Sequence, residues 1–375
     1  MDQFNGRVGV QQRVLPAYRA SFFDDLAGAC VGGLSVYAGK VHPAESIPVV
    51  DRLNFARYDP ARNLHFLRVD SPLYLLWQSG ITSWLDSWNP DALIVEANPR
   101  YLTTARAIRW MHARNRPVIG WGLGVPPFEV GSPSMLGLIN RMSSLYRNRF
   151  LLSLDGLIAY SRRGAEEYRK AGVAGDRIFA ATNAAVRRPK VAPPIRPDQI
   201  TGKPVILFVG RLQRRKRVDL LMRACAKLPE RLQPQVWVVG DGPARSDLER
   251  MAQVIYPQAE FPGAKRGDDL EFYFSQADLF VLPGTGGLAV QEAMAHGLPV
   301  IVAEGDGTQD DLVRAENGWQ IRPGDAESLE ESIREALSDL GKLRKKGLES
   351  FRIVREEANV ERMVQVFVTA LNSMS

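Results

Sequence analysis

The second half of the chain alternates between short apolar runs and longer segments in which apolar residues recur at helical spacing. Short apolar runs that alternate with helices are typical of a buried parallel sheet covered by helices on both faces. The pattern predicts strands over 205–210, 235–240, 277–282 and 298–303. It predicts helices over 218–227, 244–253 and 287–296.

The first half carries a weaker version of the same pattern, with strands predicted over 32–39, 92–98, 117–122 and 154–161 and helices over 21–29, 103–114 and 134–152. Between the halves, the stretch 187–204 holds five prolines and few apolar residues, which predicts a linker. We therefore expect an α/β protein with two doubly wound, Rossmann-like domains, 1–190 and 200–356, that face each other across a cleft. Ligands of such folds bind at the carboxyl ends of the strands.

Composition and charge narrow the class of protein. The net charge of +6 is modest for 375 residues and fits an anionic ligand, so we expect no nucleic-acid partner. Cys30 and Cys225 lie far apart and are expected to be reduced and buried. Neither a membrane-spanning apolar run nor a signal-peptide core is present, which indicates a cytoplasmic protein. Without Asp-x-Asp or a His/Cys cluster, we expect metal-independent chemistry and no cofactor.

The segment "VLPGTGGLAVQE", from Val281 to Glu292, joins an apolar strand to a helix through three glycines. Glycine lets a backbone approach a ligand closely, and the first N–H groups of a helix attract anions. A carboxylate in the first turns of that helix, here Glu292, can accept hydrogen bonds from sugar hydroxyls. The pattern indicates an anion-binding loop, although a tight turn followed by a surface glutamate explains it equally well.

A second predicted strand end, "FVGRLQRRKR" over 208–217, is strongly basic. Six basic residues and no acidic one lie between Lys203 and Val218. Arg211, which can grip a phosphate as a fork, and Lys216, which acts as a point charge, are suited to holding a diphosphate. A solvated charge run remains the alternative, above all for the other basic residues of this stretch.

The motifs "VGRL", "VVGDGP", "FPG", "ADLFVLPG" and "EAMAHGLPVI" follow one another within 208–325. In this order they resemble the C-terminal domain of family 4 retaining glycosyltransferases of the GT-B fold, which serve polysaccharide and glycolipid biosynthesis. The resemblance implies a hexosyltransferase that moves a sugar from a nucleotide-diphosphate sugar to a glycan or lipid-linked acceptor, with retention of configuration. A UDP-sugar is the first expectation, with GDP- and ADP-sugars as alternatives. The resemblance also implies that the C-terminal helix, 357–375, packs back on the first domain.

Motifs and resemblance together give the expected donor contacts. The residues expected at the diphosphate are Arg211, Lys216, Gly286, Gly287 and Leu288. Those expected at the ribose and base are Glu292, Gly210, Gly240, Ala264 and Lys265. Gly284 and Thr285 are expected beside the donor sugar.

Two positions depart from the family. Relatives usually carry two glutamates eight positions apart, but counting back from Glu292 leads to Gly284, so Thr285 and the backbone of 286–288 are candidates for its contacts. Many relatives have a histidine in a strand-end loop that "VIGWGLGVPP" (118–127) resembles, and Leu123 stands there. These departures keep open a non-catalytic nucleotide-sugar-binding partner subunit, and a nucleotide-sugar epimerase is a third hypothesis.

Candidates in the first domain lie near its predicted strand ends. Glu96 is the candidate polar catalytic group, with a helix-capping or structural carboxylate as the alternative. The basic amphipathic segment 134–154 is either a core-facing helix or a peripheral contact with the inner face of the plasma membrane. The candidate acceptor or cleft residues are Arg13, Arg19, Trp121 and Leu123, and ordinary surface positions are the alternative for the arginines.

Overall fold

The computed structural model describes residues 2–42, 45, 47–68, 71, 74–125, 135–197 and 202–374. The chain divides into two compact units, one made of 1–185 with 360–375 and the other of 186–359. The boundary between them falls just before the proline-rich stretch in which the sequence predicts the linker.

The first unit contains a sheet of eight strands. The strands are β1 (Val8–Val14), β2 (Leu34–Gly39), β3 (Arg57–Phe66), β4 (Leu75–Ser79), β5 (Ala92–Glu96), β6 (Val118–Gly122), β7 (Gly156–Ala159) and β8 (Ile178–Ala180). The helices that precede residue 186 are α1 (Ala20–Gly28), α2 (Ile81–Trp88), α3 (Thr104–His112), α4 (Met135–Leu152) and α5 (Arg162–Lys170). The strand order is β4-β3-β2-β1-β5-β6-β7-β8, and the neighbours are parallel except for the antiparallel pair β3–β4. The order reverses direction between β1 and β5, which is the switch point where doubly wound sheets bind ligands.

The second unit repeats this plan with six parallel strands. The strands are β9 (Val205–Val209), β10 (Gln235–Val239), β11 (Ala259–Gly263), β12 (Leu279–Leu282), β13 (Val300–Ala303) and β14 (Gly318–Ile321). Its helices are α6 (Val218–Lys227), α7 (Arg245–Ile255), α8 (Asp268–Gln276), α9 (Ala289–Ala295), α10 (Thr308–Leu312), α11 (Ala326–Ser338) and α12 (Leu340–Glu356). The order is β11-β10-β9-β12-β13-β14, so the switch point lies between β9 and β12. Every residue of β12 and β13 is buried, which is why these strands appear in the sequence as continuous apolar runs.

The last helix, α13 (Val360–Met374), belongs to the first unit. Its buried residues recur at intervals of three and four, which gives one apolar stripe along the helix. Phe367 lies in the middle of this stripe, with its ring centre 4.9 Å from those of Phe22 and Trp121. The C-terminal helix is therefore part of the core of the first unit.

The α/β class with two Rossmann-like units is confirmed, and several element bounds need correction. The helix predicted over 244–253 begins at Arg245 and runs to Ile255. The helix predicted over 287–296 is shorter, Ala289–Ala295, because Gly286 and Gly287 have positive φ angles and precede it as a loop. Six strands went unpredicted: β1, β3, β4, β8, β11 and β14. Among them, β3 has a mostly polar sequence with a single buried residue. Cys30 and Cys225 are free and buried, as expected.

Candidate functional site

Two loops leave the second sheet at its switch point. The first follows β9 and spans 210–217, and the second follows β12 and spans 283–288. Because β9 and β12 are parallel neighbours, with Phe280 paired to Leu207, both loops emerge at the same edge of the sheet. This edge is where the sequence places the diphosphate residues.

Lys216 joins these two loops. The side chain is only 6% exposed, and its Nζ donates to the carbonyl oxygens of Thr285 at 2.8 Å and Gly286 at 2.6 Å. Burial first, and the neighbouring Arg215 second, lower the pKa of Lys216 to about 8. An ammonium has three N–H groups, so within the described part of the chain one of them is left for a ligand.

Gly284 lies directly against the first of these loops. A Cβ at this position would stand 2.2 Å from the Arg215 carbonyl oxygen and 2.6 Å from the Lys216 Cα. The amide of Thr285 also donates to that carbonyl oxygen, at 3.1 Å. The place where the resemblance leads one to expect a carboxylate is therefore filled by backbone, and no side chain fits there.

The next two glycines differ from each other. Gly286 has φ +64° and nothing within 4 Å of the position of a Cβ. Gly287 has φ +149°, and a Cβ there would stand 2.8 Å from the Leu282 Cδ2 and 3.7 Å from the Lys216 Nζ. Thr285 and Gly287 are exposed, and Leu288 is half-buried just before α9. Since α9 has only seven residues, the ability of this loop to bind an anion depends on Lys216 and the accessible backbone more than on the helix.

Glu292 lies in the first turn of α9 and is half-buried. Burial raises the pKa of Glu292, and His296 partly opposes this effect. Within the described residues, its carboxylate has no hydrogen-bond or ion-pair partner. The His296 Nδ1 donates instead to the Glu292 backbone carbonyl, at 2.8 Å. A half-buried carboxylate without a partner is available for hydroxyl groups of a ligand.

Two further strand ends lie beside these loops. The Gly210 amide donates to the Val239 carbonyl at 3.0 Å, and a Cβ on Gly240 would stand 1.9 Å from the Gly210 oxygen, so that only glycine allows this approach. The Gly240 amide in turn donates to the Gly263 carbonyl at 2.9 Å. The ends of β9, β10 and β11 are thereby held together. Just after β11, Ala264 is exposed and Lys265 is half-buried, and Arg211 is exposed after β9.

At the switch point of the first sheet, Glu96 ends β5 beside β1. Its Oε1 accepts from the backbone N–H of Arg13 at 2.6 Å, and burial raises its pKa. The Arg13 guanidinium is paired with Glu45 at 2.5 Å. A half-buried carboxylate that accepts from a backbone amide of the neighbouring strand fits the structural alternative for Glu96 better than the catalytic one.

The other first-domain candidates separate into buried and exposed residues. Trp121 is 1% exposed and packs against the aromatic rings of α1 and α13. Arg19 is 4% exposed and lies over the Trp121 ring. Leu123 is 46% exposed in the loop after β6, where a Cβ on Gly124 would stand 2.6 Å from Gly164 Cα. The exposed Leu123 supplies no polar group at the position where relatives carry histidine.

Some groups near the first switch point have no signal in the sequence. The rings of His42 and His65 are 5.1 Å apart, and His65 Nδ1 lies 2.8 Å from the Tyr74 hydroxyl. Tyr101 adds a further hydroxyl beside Glu96. Burial first, and the charge of Glu96 second, raise the pKa of Tyr101. Spacing along the chain could not reveal this cluster, because its members come from the loop after β2, from β3, from the start of β4 and from the loop after β5.

The segment 134–154 corresponds mainly to α4. The side chains of 135–143, which carry most of the predicted apolar face, lie outside the described residues. In the described part, Leu145 and Tyr146 are 69% and 56% exposed. In the part of the chain that the structure describes, no helix has the length and apolar character needed to cross a bilayer.

Comparison with known proteins assigns the second unit. Residues 195–349 match the family described as "Glycosyl transferases group 1". The chain is 36% identical over 143 residues to sulfoquinovosyl transferase SQD2 of Arabidopsis thaliana, in an alignment that covers 36% of this chain and 27% of that protein. It is 41% identical over 112 residues to a GDP-mannose-dependent alpha-mannosyltransferase of Mycolicibacterium smegmatis, covering 29% and 28% of the two chains. The chain thus spans less than a third of the length of these two relatives.

Solved structures extend the likeness to both units. Sucrose-phosphate synthase from Thermosynechococcus elongatus superposes with a TM-score of 0.71 at 18% identity, over 98% of each chain. HepE of Anabaena in complex with UDP superposes with a TM-score of 0.68 at 17% identity, over all of both chains. At these identities the likeness establishes the fold, which is GT-B, with two Rossmann-like units.

Proposed function

We propose that this protein is a glycosyltransferase that binds a nucleotide-diphosphate sugar through its second unit and transfers the sugar to an acceptor bound by its first. The acceptor is a glycan or a lipid-linked sugar, and the transfer retains the anomeric configuration, as in the family that the sequence resembles. UDP is the first choice of nucleotide. GDP is the strongest alternative, because relatives at 38–41% identity are GDP-mannose-dependent mannosyltransferases.

One observation carries this proposal. Lys216, a buried cation with an N–H group free for a ligand, and Glu292, a carboxylate without a partner, follow neighbouring strands at the switch point. Both lie inside the segment that matches the glycosyltransferase family. A cation for the diphosphate and a carboxylate for the ribose are the two groups that a nucleotide-sugar site needs.

The chemistry follows from charge. As the bond between the sugar and the diphosphate breaks, negative charge accumulates on the leaving phosphate, and fixed cations at that point lower the barrier. Lys216 is held in place by the Thr285 and Gly286 carbonyls before a ligand arrives, so its reorganisation is small. Arg211, exposed at the end of the same strand, closes on the phosphates as a fork.

Nucleotide binding is the first test. Thermal melting of the wild type with UDP, GDP, ADP and their sugar conjugates is expected to show stabilisation by one base, about 2.7 kcal/mol at a hundredfold excess over Kd. Arg211→Ala and Glu292→Ala should lose most of this effect. Glu230→Ala and Arg231→Ala are matched controls, because this exposed pair precedes β10 at the opposite edge of the sheet. If no nucleotide stabilises the wild type, the proposal is wrong.

A non-catalytic nucleotide-sugar-binding subunit is the second candidate. Two observations favour it: backbone fills the place of a carboxylate at Gly284, and Leu123 replaces a histidine. Both candidates predict nucleotide binding, so turnover decides. Release of UDP or GDP from the sugar conjugate that binds, with added acceptors, supports the transferase, whereas binding without release supports the subunit. Epimerised sugar nucleotide among the products would instead identify an epimerase.

A further inference from the structure

Arg19 is a buried cation of the first unit, and no carboxylate of the described residues is paired to it. Its guanidinium carbon lies 4.0 Å from the ring centre of Trp121, 5.2 Å from that of Tyr160 and 5.3 Å from that of Tyr18. In the described part of the chain, its Nε donates to the Tyr18 hydroxyl at 3.3 Å, and the Tyr160 hydroxyl is a second hydrogen-bond partner of its side chain. Its Nη1 is buried without a hydrogen-bond partner there.

The charge on Arg19 is only partly compensated. Burying an ion is costly unless a counter-ion or a full set of hydrogen bonds replaces water, and ring faces supply part of that. The carboxylate whose charge reaches Arg19 is Glu96, which already binds the Arg13 amide. Helix α1, which starts immediately after Arg19, has neither an acidic residue in its first turn nor a side-chain cap. The positive end of its dipole therefore adds to the positive field.

We propose that Arg19 binds an oxyanion, a phosphate or a carboxylate, carried by the acceptor. The acceptor is then an acidic sugar or a phosphate-bearing molecule. Calling this ligand the acceptor rests on the proposed function, whereas the anion site itself does not. A guanidinium presents parallel N–H groups that match two oxygens of either anion.

The surroundings of Arg19 suit such a ligand. Tyr18 is 37% exposed, so the guanidinium lies one side-chain layer below the surface, and rotation of Tyr18 gives access to it. Burial raises the pKa of the Tyr160 hydroxyl to about 12, so this group keeps its proton and can donate to the same anion. One buried fork and one hydroxyl form the site.

Arg114 shows what an arginine stacked on tryptophan looks like in a structural role. Its guanidinium carbon lies 3.7 Å from the Trp110 ring centre, but the side chain is exposed, its Nη1 donates to the Trp110 carbonyl and Asp86 lies 3.9 Å away. Arg19 has the stacking without the carboxylate. Arg114→Gln is therefore the matched control for Arg19→Gln.

The experiment follows arginine Nε–H signals of the full chain by NMR during titration with inorganic phosphate, glucuronate or uncharged methyl glucoside. Arg19→Gln removes and so assigns the Arg19 signal, and the affinity of each variant is measured by calorimetry. We expect saturable shifts of the Arg19 signal with an anion and none with methyl glucoside. Arg19→Gln should weaken binding about tenfold or more, while Arg114→Gln leaves it unchanged. Phosphate and glucuronate distinguish the two kinds of acceptor.

Several results would overturn this proposal. One is an Arg19 NMR signal that does not shift with either anion at tens of millimolar. Another is a loss of UDP or GDP affinity in Arg19→Gln, which would place Arg19 in the donor site. If Arg19→Gln does not fold, Arg19→Lys keeps the charge without the fork, and unchanged anion affinity in that variant also refutes the site. Anion binding at Arg19 with no nucleotide binding would refute the proposed function alone.

Discussion

Replacing Gly284 by alanine tests whether the two loops of the donor site are held together by backbone packing. The new Cβ would lie 2.2 Å from the Arg215 carbonyl oxygen and 2.6 Å from the Lys216 Cα. Non-bonded carbon atoms normally approach to about 3.5–4.0 Å, so the loops would have to separate by roughly 1 Å. Neither neighbour is a flexible side-chain tip that could turn away, and the whole loop must move.

Overpacking of this kind costs about 1–3 kcal/mol, and a clash with backbone belongs at the upper end. In a unit of this size each kcal/mol corresponds to about 2–4 °C, so a fall in Tm of about 4–12 °C is expected. The loop movement would also pull the Lys216 ammonium from the Thr285 and Gly286 carbonyls, so nucleotide affinity should fall as well.

Thermal melting with and without the preferred nucleotide measures both effects. Gly341→Ala is the control within the same unit, because its Cβ would meet only the Asp339 Oδ1, at 3.5 Å, in the first turn of α12. That variant should melt at or slightly above the wild-type temperature. A Gly284→Ala variant with wild-type Tm and nucleotide affinity would refute the close packing. Gly284→Glu, which restores the carboxylate of relatives, is expected to be worse than alanine and not to gain activity.

Three further results are expected. Because the pKa of Lys216 is about 8, its cation is present below that pH and lost above it. Nucleotide affinity measured by calorimetry should therefore fall as the pH rises through 8, by at most about tenfold per pH unit. Lys216→Arg should flatten this pH dependence, and a steep profile in that variant would exclude Lys216 as its cause. Arg196→Ala removes donors to five backbone carbonyls, three of them within 2.9 Å, and should lower stability by about 2–3 kcal/mol. Lys190→Ala, at an exposed position, should not, and equal melting of the two variants would mean that the linker is not anchored this way. Phe367→Ala should cost about 3–5 kcal/mol in thermal melting because its ring packs against two aromatic rings, and a small change would contradict the docking of α13.

Much of the second unit was predictable because its buried strands, its glycine loop and its basic residues each appear in a short stretch of sequence. The residues of β12 and β13 are buried on both faces, so they appear as unbroken apolar runs. Gly286 and Gly287 have positive φ angles, which glycine adopts far more easily than other residues. The two glycines therefore mark this loop in the sequence. The basic residues after β9 are likewise adjacent to the strand that positions them.

Other features depend on contacts between residues far apart in the chain. In the sequence, Gly284 indicates only that an expected carboxylate is missing. Its contact with the backbone of Arg215 and Lys216 shows that the position has no room for a side chain. Arg19 lies about a hundred positions from the Trp121 ring beneath it, so no spacing rule connects them. Strand β3 was missed for a different reason: a strand that buries little has no hydrophobic period to detect.

Charged side chains lie at both edges of the two sheets. At the amino ends of the strands, carboxylates accept backbone amides that begin a strand or precede it, as Asp91 does from Arg7, Asp155 from Val118 and Asp278 from Val205. Near that edge, Arg344 pairs with Asp278 at 2.7 Å, whereas the buried Lys346 donates to the Ala315 carbonyl oxygen.

At the carboxyl ends, Glu96 follows the same rule but other charged groups do not. Lys216 bonds only to backbone carbonyls, Glu292 has no partner and Arg19 lies over rings, within the part of the chain that the structure describes. Charge buried without a counter-ion costs folding free energy, so these three groups need a reason other than stability. The reason we infer is ligand binding: the amino edges stabilise each sheet, and the carboxyl edges keep a cation free for the diphosphate in one unit and for the acceptor's anion in the other.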